Sequence, residues 1–493
     1  MFTSLLEIIL GIILVAILFS IWYSAKPAKF PPGPPSIPIF GNSLSIPLYD
    51  IHLTLEEWSA QYGPLIGVMM GRQPGLFVTG GGPVVAALKK EEFQGRPDTK
   101  YVRDRSFGEM LGIFFSEGQQ WFESRKITVR YLREFNKGNK MEDLMQREID
   151  EFIQHRMVTD EPIQMSGYLH HPVLNILWLF LIGKKFSYTD RTYTQFLHSC
   201  EESFRLGVLA GSSVTDSFPV LKKLVRKYRN IDENVFDFIR EVRGMMKKSI
   251  EETKPNLSEH STEDSGYLVE YYLNEMKHNA TNTMSENDLT IIGLDFIAAT
   301  VNSVNSILEF CFMYLILNPW VQDKLHKEID EVLGTRKIHL GTDKHRLHYL
   351  QAVINEVIRI NTIAPMTATH RCTQHTDFYG YRIPKDTLIF ISIWSLLYDE
   401  SIFPDPHQFK PERFLSPDEQ QLEKVQMFLP FGTGKRICPG DQLTRQILLI
   451  YLTTLLQNYS VHRAPHEPLP DTRAQAGFVN SPKPFRVILR ERN

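Results

Sequence analysis

Residues 431–440 read FGTGKRICPG: two glycines, a basic pair, one cysteine and then Pro-Gly. Cys438 is one of only four cysteines in 493 residues; Cys200, Cys311 and Cys372 lie far away, and no CxxC spacing occurs. That scatter excludes a structural zinc site or a disulfide scaffold and fits a reducing compartment. Downstream, Leu443, Ile447, Leu448, Tyr451, Leu452 and Leu455 recur at helical spacing and predict a helix over 442–457. Cys438 therefore precedes a helix N-terminus, whose free amides and positive dipole end favour an anion. Arg436 adds a cation nearby. Taken alone, a buried structural cysteine is the commoner explanation. The glycines, the arginine and the helix start favour a reactive or ligating thiolate.

A lone cysteine suits a single axial bond to an iron that already holds four other ligands. Gly434 and Gly440 are expected to let the backbone turn sharply and come close to a flat ligand. Phe431, Gly434, Arg436, Cys438 and Gly440 together resemble the haem-ligand signature of the cytochrome P450 family. Three further motifs stand in that family's order. Trp121-Phe-Glu-Ser-Arg125 resembles its WxxxR, Glu356-Val-Ile-Arg359 its ExxR, and Pro411-Glu-Arg413-Phe its PERF segment. The resemblance spans essentially the whole chain. It implies an α+β, mainly α fold: one large helical P450-type domain with small β-sheets, behind an N-terminal transmembrane helix.

The rest of the chain reads consistently with that layout. LLEIILGIILVAILFSIWY, residues 5–23, carries one charge and is long enough to cross a bilayer core, which takes about 20 residues. No basic residue precedes it, so a retained anchor is expected over 1–24, not a cleaved leader. Lys26 and Lys29 behind the span place the bulk on the cytoplasmic side. PPGPP lies within a proline-rich hinge, 25–42, expected to be a stiff extended spacer. The catalytic domain is expected over 43–493. Strands are expected near 64–71 and 74–81, a mainly helical region over 83–333, and short strands with turns over 370–415. The clearest helix begins at Ser285, with Asp288 completing a capping box, and stops at Asn318-Pro319. Residues 252–266 are polar and read as a surface loop.

Net charge is −3 with no long basic run, which speaks against nucleic acid as a partner. The resemblance implies haem b with Cys438 as the axial thiolate. It places Trp121, Arg125 and Arg436 on the haem propionates, with His370 and Arg96 as further members of that clamp and Phe431, Gly434 and Gly440 around the cofactor. It implies an endoplasmic-reticulum enzyme fed by NADPH-cytochrome P450 reductase, with cytochrome b5 as an optional second partner. Lys126, Arg130, Arg133 and Lys435 are candidates for meeting that acidic reductase. Substrate contacts are expected from 107–115, the central helix, 363–366 and 477–479, all mostly apolar, so the substrate is lipophilic. Glu356, Arg359 and Arg413 are expected to form a buried structural ion network.

One stretch departs from the family pattern. Its central helix usually carries an acid and a threonine beside the oxygen site; Ala298-Ala299-Thr300-Val301-Asn302-Ser303 is aligned so that Val301 and Asn302 replace them. Asn302 is thereby the catalytic candidate. Three functions follow: an O2- and NADPH-dependent monooxygenase, which is favoured; an isomerase or dehydratase that rearranges a lipid peroxide, which Asn302 would support; and a non-catalytic membrane haem protein.

Overall fold

The computed structural model describes residues 11, 15, 25–47, 50–136, 139–157, 159–190, 193, 196, 226–257, 266–278, 284–477 and 479–492. The expected anchor over 1–24 lies outside the described residues except at Gly11 and Val15, as does Phe478. Among the described residues the α-helices begin with Ile51–Tyr62 (α1), Gly81–Lys89 (α2), Lys100–Arg105 (α3), Gly118–Phe135 (α4) and Lys140–Arg156 (α5). His170–Ile182 (α6), Arg226–Thr253 (α7), Leu268–His278 (α8), Glu286–Leu317 (α9) and Pro319–Leu333 (α10) follow. Leu340–Asp343 (α11), His348–Asn361 (α12), Ile393–Leu397 (α13) and Asp441–Asn458 (α14) complete them.

The strands are Leu65–Met70 (β1), Gln73–Val78 (β2), Pro162–Gln164 (β3), His370–Arg371 (β4), Thr376–Phe378 (β5), Tyr381–Ile383 (β6), Leu388–Ile391 (β7), Tyr459–Arg463 (β8) and Arg486–Glu491 (β9). They make three small sheets, ordered β1-β2-β7-β4, β3-β9-β8 and β5-β6. In the first, β1 and β2 are antiparallel while β2 and β7 run parallel, with Leu76 opposite Ile389. This pairing carries β4, and with it His370, to the sheet edge beside Gly95.

Helix α9 organises the core. The Ser285 hydroxyl accepts the Asp288 N–H at 3.1 Å and the Asp288 carboxylate accepts the Ser285 N–H at 3.0 Å, the reciprocal cap expected from the sequence. It stops at Asn318, and Pro319 opens α10, where its missing amide costs nothing. Its most apolar window has a mean hydropathy of 1.5, enough by composition to cross a membrane, yet 72% of that window is buried inside the protein. It is apolar all round because the core surrounds it; α6, α7, α12 and α14 pack against it.

Two expectations change. The proline-rich hinge is not a free spacer. The Asn42 side chain accepts the Met69 N–H at 2.9 Å and donates to the Pro35 carbonyl at 3.0 Å, while Gly67 N–H donates to Pro32 at 2.7 Å. Phe30 is buried, so the segment from about residue 30 is docked on β1 as part of the domain. Of the loop expected over 252–266, residues 252–256 are helical, because α7 runs through Thr253 and a 3₁₀ turn covers Lys254–Asn256, and residues 258–265 lie outside the described residues.

Candidate active site

The cysteine stretch folds as a loop held from both sides. The Cys438 N–H donates to the Phe431 carbonyl at 3.0 Å, closing the loop on itself. Gly434 sits at φ 79°, and a Cβ there would lie 2.5 Å from the Leu88 carbonyl oxygen of α2. Its glycine is therefore required by a turn and by protein backbone, not by a ligand. Gly440 has an ordinary φ of −88°, and a Cβ there would meet only the Cys438 sulfur, at 3.8 Å. The expectation that Gly440 makes a sharp turn is corrected: it leaves room beside the sulfur, and the second left-handed residue is Gly432, at φ 75°.

Cys438 is exposed and lines a cavity of about 280 Å³. Burial pushes its thiol up, opposed by the amides of Gly440 and Asp441 and by Arg125. The helix start alone thus does not yield a thiolate; a coordinated metal would supply the rest of the driving force, since a metal-bound thiol is deprotonated outright. Besides the cysteine loop, the cavity is lined by Ile113 and Phe114, by Ile363, Ala364 and Met366, by Val479, and by Asp295, Phe296, Ala299, Thr300, Ser303 and Ile307 of α9. Three of the four expected substrate segments contribute as read, and Val479 represents the fourth. Phe107 does not; its ring packs under Arg243 and Lys247.

Arg96, Arg125, His370 and Arg436 converge on this same cavity. Arg436 donates to the carbonyls of Gln94 and Ser116, both at 2.9 Å, and its guanidinium lies 3.9 Å from the centre of the Trp121 ring. Arg96 donates to Phe114 O at 2.8 Å. Burial, reinforced by Arg96 and Arg125, brings Arg436 down to about 8. Burial brings Arg96 to about 10, with Glu117 opposing and Arg125 adding. Burial also holds His370 well below the usual imidazole value, and its ring pairs with the Phe93 carbonyl at 2.7 Å. Such depression marks cationic groups buried together, with repulsion between them adding to the loss of water. Arg436 Nη1 and Trp121 Nε1 are buried donors with no protein partner among the described residues. An anion with several oxygens is what this cluster lacks, and the two carboxylates of a haem fit it. No group of three His, Cys, Asp or Glu side chains suited to a metal occurs among the described residues. An iron at Cys438 would take its remaining ligands from the organic ring.

The residue assigned as catalytic lies elsewhere. Asn302 is buried and lines a separate cavity with Ser306 and Glu309, not the one above Cys438. Helical neighbours point about 100° apart, so an error of one position turns a side chain off the site. Ser303 and Thr300 face the cavity instead, with the Ser303 hydroxyl donating to Ala299 O at 2.6 Å. Spacing in steps of three and four, from Phe296 through Ala299 and Thr300 to Ser303 and Ile307, is the signal that finds them. Asn302 lends no support to the peroxide reading from this position.

Behind the cysteine loop, the Glu356 carboxylate takes Arg359 Nε at 2.7 Å and Arg413 Nε at 3.1 Å, with Glu356 and Arg359 fully buried. Arg359 further donates to Leu397 and Pro406 carbonyls. Each guanidinium nitrogen of both arginines is engaged by a carboxylate or a backbone carbonyl, as a structural network requires.

Compared with known proteins, residues 31–489 match the family model described as Cytochrome P450. The chain is 31% identical to a farnesoate epoxidase of Bombyx mori over 94% of each chain. It is 30% identical to cytochrome P450 2A9 of Mesocricetus auratus over 92% of each, and to cytochrome P450 2C7 of Rattus norvegicus over 96% of each.

Proposed function

The chain belongs to the cytochrome P450 family of haem-thiolate oxidoreductases, and from that premise we propose that it is a membrane-bound, reductase-fed monooxygenase of a lipophilic small molecule. Each turnover takes one O2, two electrons and two protons; one oxygen atom enters a C–H or C=C bond of the substrate and the other leaves as water. The electrons come from NADPH through a flavoprotein reductase. The observation that carries this reading is Cys438 opening into an apolar cavity that also presents Thr300 and Ser303.

The residues divide the work. Cys438 holds the cofactor iron and Arg96, Arg125, Arg436 and Trp121 hold its acidic edge, while Phe431 and Gly440 shape the sulfur side. The haem, once bound, supplies oxygen activation, favoured by thiolate donation. Ile113, Phe114, Ile363 and Val479 exclude water and grip the substrate. Lys126, Arg130, Arg133 and Lys435 line a surface groove of about 1010 Å³ together with Trp121, Arg125 and Arg436. A groove of that sign beside the propionate clamp supports docking of an acidic reductase there. Residues 5–23 would tether the domain to the endoplasmic reticulum. The farnesoate epoxidase likeness makes terpenoid acids worth testing beside drug-like compounds.

The test is full-length protein reconstituted with reductase, scored by product mass across lipophilic substrates. A carbon monoxide difference spectrum of the thiolate type and NADPH-dependent incorporation of one atom from labelled O2 are expected. Turnover with organic hydroperoxide but none with NADPH and O2 would replace this reading with peroxide rearrangement.

A further inference from the structure

The one carboxylate that lines the cavity above Cys438 is tied up by its neighbours. Asp295 is the carboxylate in its lining, and both oxygens are engaged: one takes Arg105 at 2.6 Å, the other the amides of Ile113 and Phe114 at 2.8 and 3.0 Å. The Ser303 hydroxyl proton is given to the helix backbone. On another face of the same helix lies a second cavity of about 110 Å³ whose character is different. Asn302, Ser306 and Glu309 of α9, His170 of α6 and Gln475 line it. It starts at exposed Ser166 and Pro484 and runs inward to buried His170, Glu309, Ser306 and Asn302. Val479 lines both cavities, so the two meet the same side chain, and Asn302 and Ser303 are consecutive on the helix between them.

We propose that this polar cavity is the path by which solvent protons reach the oxygen site, entering past Ser166 and Pro484, with buried Glu309 and His170 as relay residues and Ser306 and Asn302 carrying it onward. The proposal rests on the monooxygenase reading, whose two protons per turnover need a route. A cavity of this size holds water, and its walls offer polar partners in His170, Asn302, Ser306, Glu309 and Gln475. Glu309 is held in place by the Gly167 N–H, which donates to Oε1 at 2.8 Å. Glu309 and His170 are the titratable groups in the lining. Neighbouring His171 turns its ring to Tyr188 and Tyr193, and Lys483 on the C-terminal segment is tied to Asp471 at 2.6 Å. A buried ionisable pair, a hydroxyl and an amide lining one cavity, once bridged by water, make a chain that passes protons without moving the backbone.

The test uses the haem-loaded full chain with reductase. Glu309→Gln is expected to keep the thiolate-type carbon monoxide spectrum and hydroperoxide-driven turnover, while product formed per NADPH falls about tenfold and peroxide release rises. Glu309→Asp is expected to restore coupling, with its pH profile displaced. Ser306→Val blocks the same path without touching a charge and guards against misfolding of the first variant. A high-resolution crystal structure of the resting enzyme, which needs no turnover, is expected to show ordered waters from Glu309 to Asn302. Equal coupling in wild type, Glu309→Gln and Ser306→Val, or a dry cavity, would overturn the path alone. A wild type that consumes no NADPH with any substrate would overturn the monooxygenase reading and this proposal with it.

Discussion

The Arg436 guanidinium lies 3.9 Å from the centre of the Trp121 ring, and each of the two side chains keeps a buried nitrogen donor without a protein partner among the described residues. Stacking fixes the arginine plane while leaving donors aimed away from the backbone carbonyls that hold it. If those donors take haem carboxylates, Arg436→Leu removes a charge-assisted contact worth about 1.5–3 kcal/mol, or roughly tenfold to hundredfold in haem affinity. Trp121→Phe removes one neutral donor and costs less. The ratio of haem to protein absorbance after dilution measures both. Unchanged haem retention in Arg436→Leu would remove this residue from the clamp.

His370 gives the cluster a pH signature. Burial keeps its folded-state pKa well below 6.5, so at neutral pH it is uncharged in the folded protein. Between that lowered value and 6.5 the unfolded chain binds the proton and the folded chain does not. Folding therefore loses stability as pH falls below 6.5, by up to about 1.4 kcal/mol per unit from this group. His370→Gln should flatten that slope in denaturant melts of the haem-free protein between pH 6.5 and 5. Parallel slopes for the two proteins would mean other histidines carry the effect.

The two glycines flanking the cysteine separate backbone strain from space. Gly434→Ala forces a Cβ into a left-handed position against the Leu88 carbonyl, so the loop must shift, at a cost of about 1–2 kcal/mol from the dihedral alone. Little haem-loaded protein is expected. Gly440→Ala meets ordinary contact distances and should fold, with the only change at the sulfur, seen as a displaced Soret band. The reverse ranking in thermal melts would be inconsistent with this geometry.

Ser303, not Asn302, faces the cavity, and the two variants should part accordingly. Ser303→Phe fills space above Cys438 and is expected to abolish the spectral shift that lipophilic ligands cause. Asn302→Ala should leave that shift within about twofold, because its side chain lies outside the ligand cavity. Ligand titrations of the two purified proteins decide it.

Local rules were legible wherever one residue type has one physical job. The Ser285–Asp288 cap, the stop at Pro319 and the helix after Cys438 each follow from satisfying helix-end amides or from apolar spacing, and each stands where it was read. Asn302 was misplaced because phase around a helix depends on packing, and a slip of one residue changes the face. Gly440 was misread because glycine serves both strain and space, and only coordinates tell these apart. The His170–Glu309 cavity was invisible for a different reason. Its residues are distant in the chain and meet only because α6 and the C-terminal segment close on α9.

The basic groove beside Trp121 yields the last expectation. Of its cations, Arg130 is tied to Glu275 at 3.1 Å and Lys435 pairs with Glu91, whereas Lys126 forms no ion pair among the described residues. Lys126, like exposed Arg133, which also forms no ion pair among the described residues, is thus available to an incoming acidic surface. Reversing it as Lys126→Glu trades attraction for repulsion at the rim of the contact, which acts mainly on encounter. The reductase concentration for half-maximal turnover should rise about tenfold at low salt. The effect should shrink as ionic strength rises past about 0.15 M, where charges more than about 8 Å apart are screened. Turnover driven by hydroperoxide needs no reductase and should be untouched, so a loss there would indicate damage to the fold and not to docking. If reductase dependence stays the same at every salt concentration, the electron donor docks on another face.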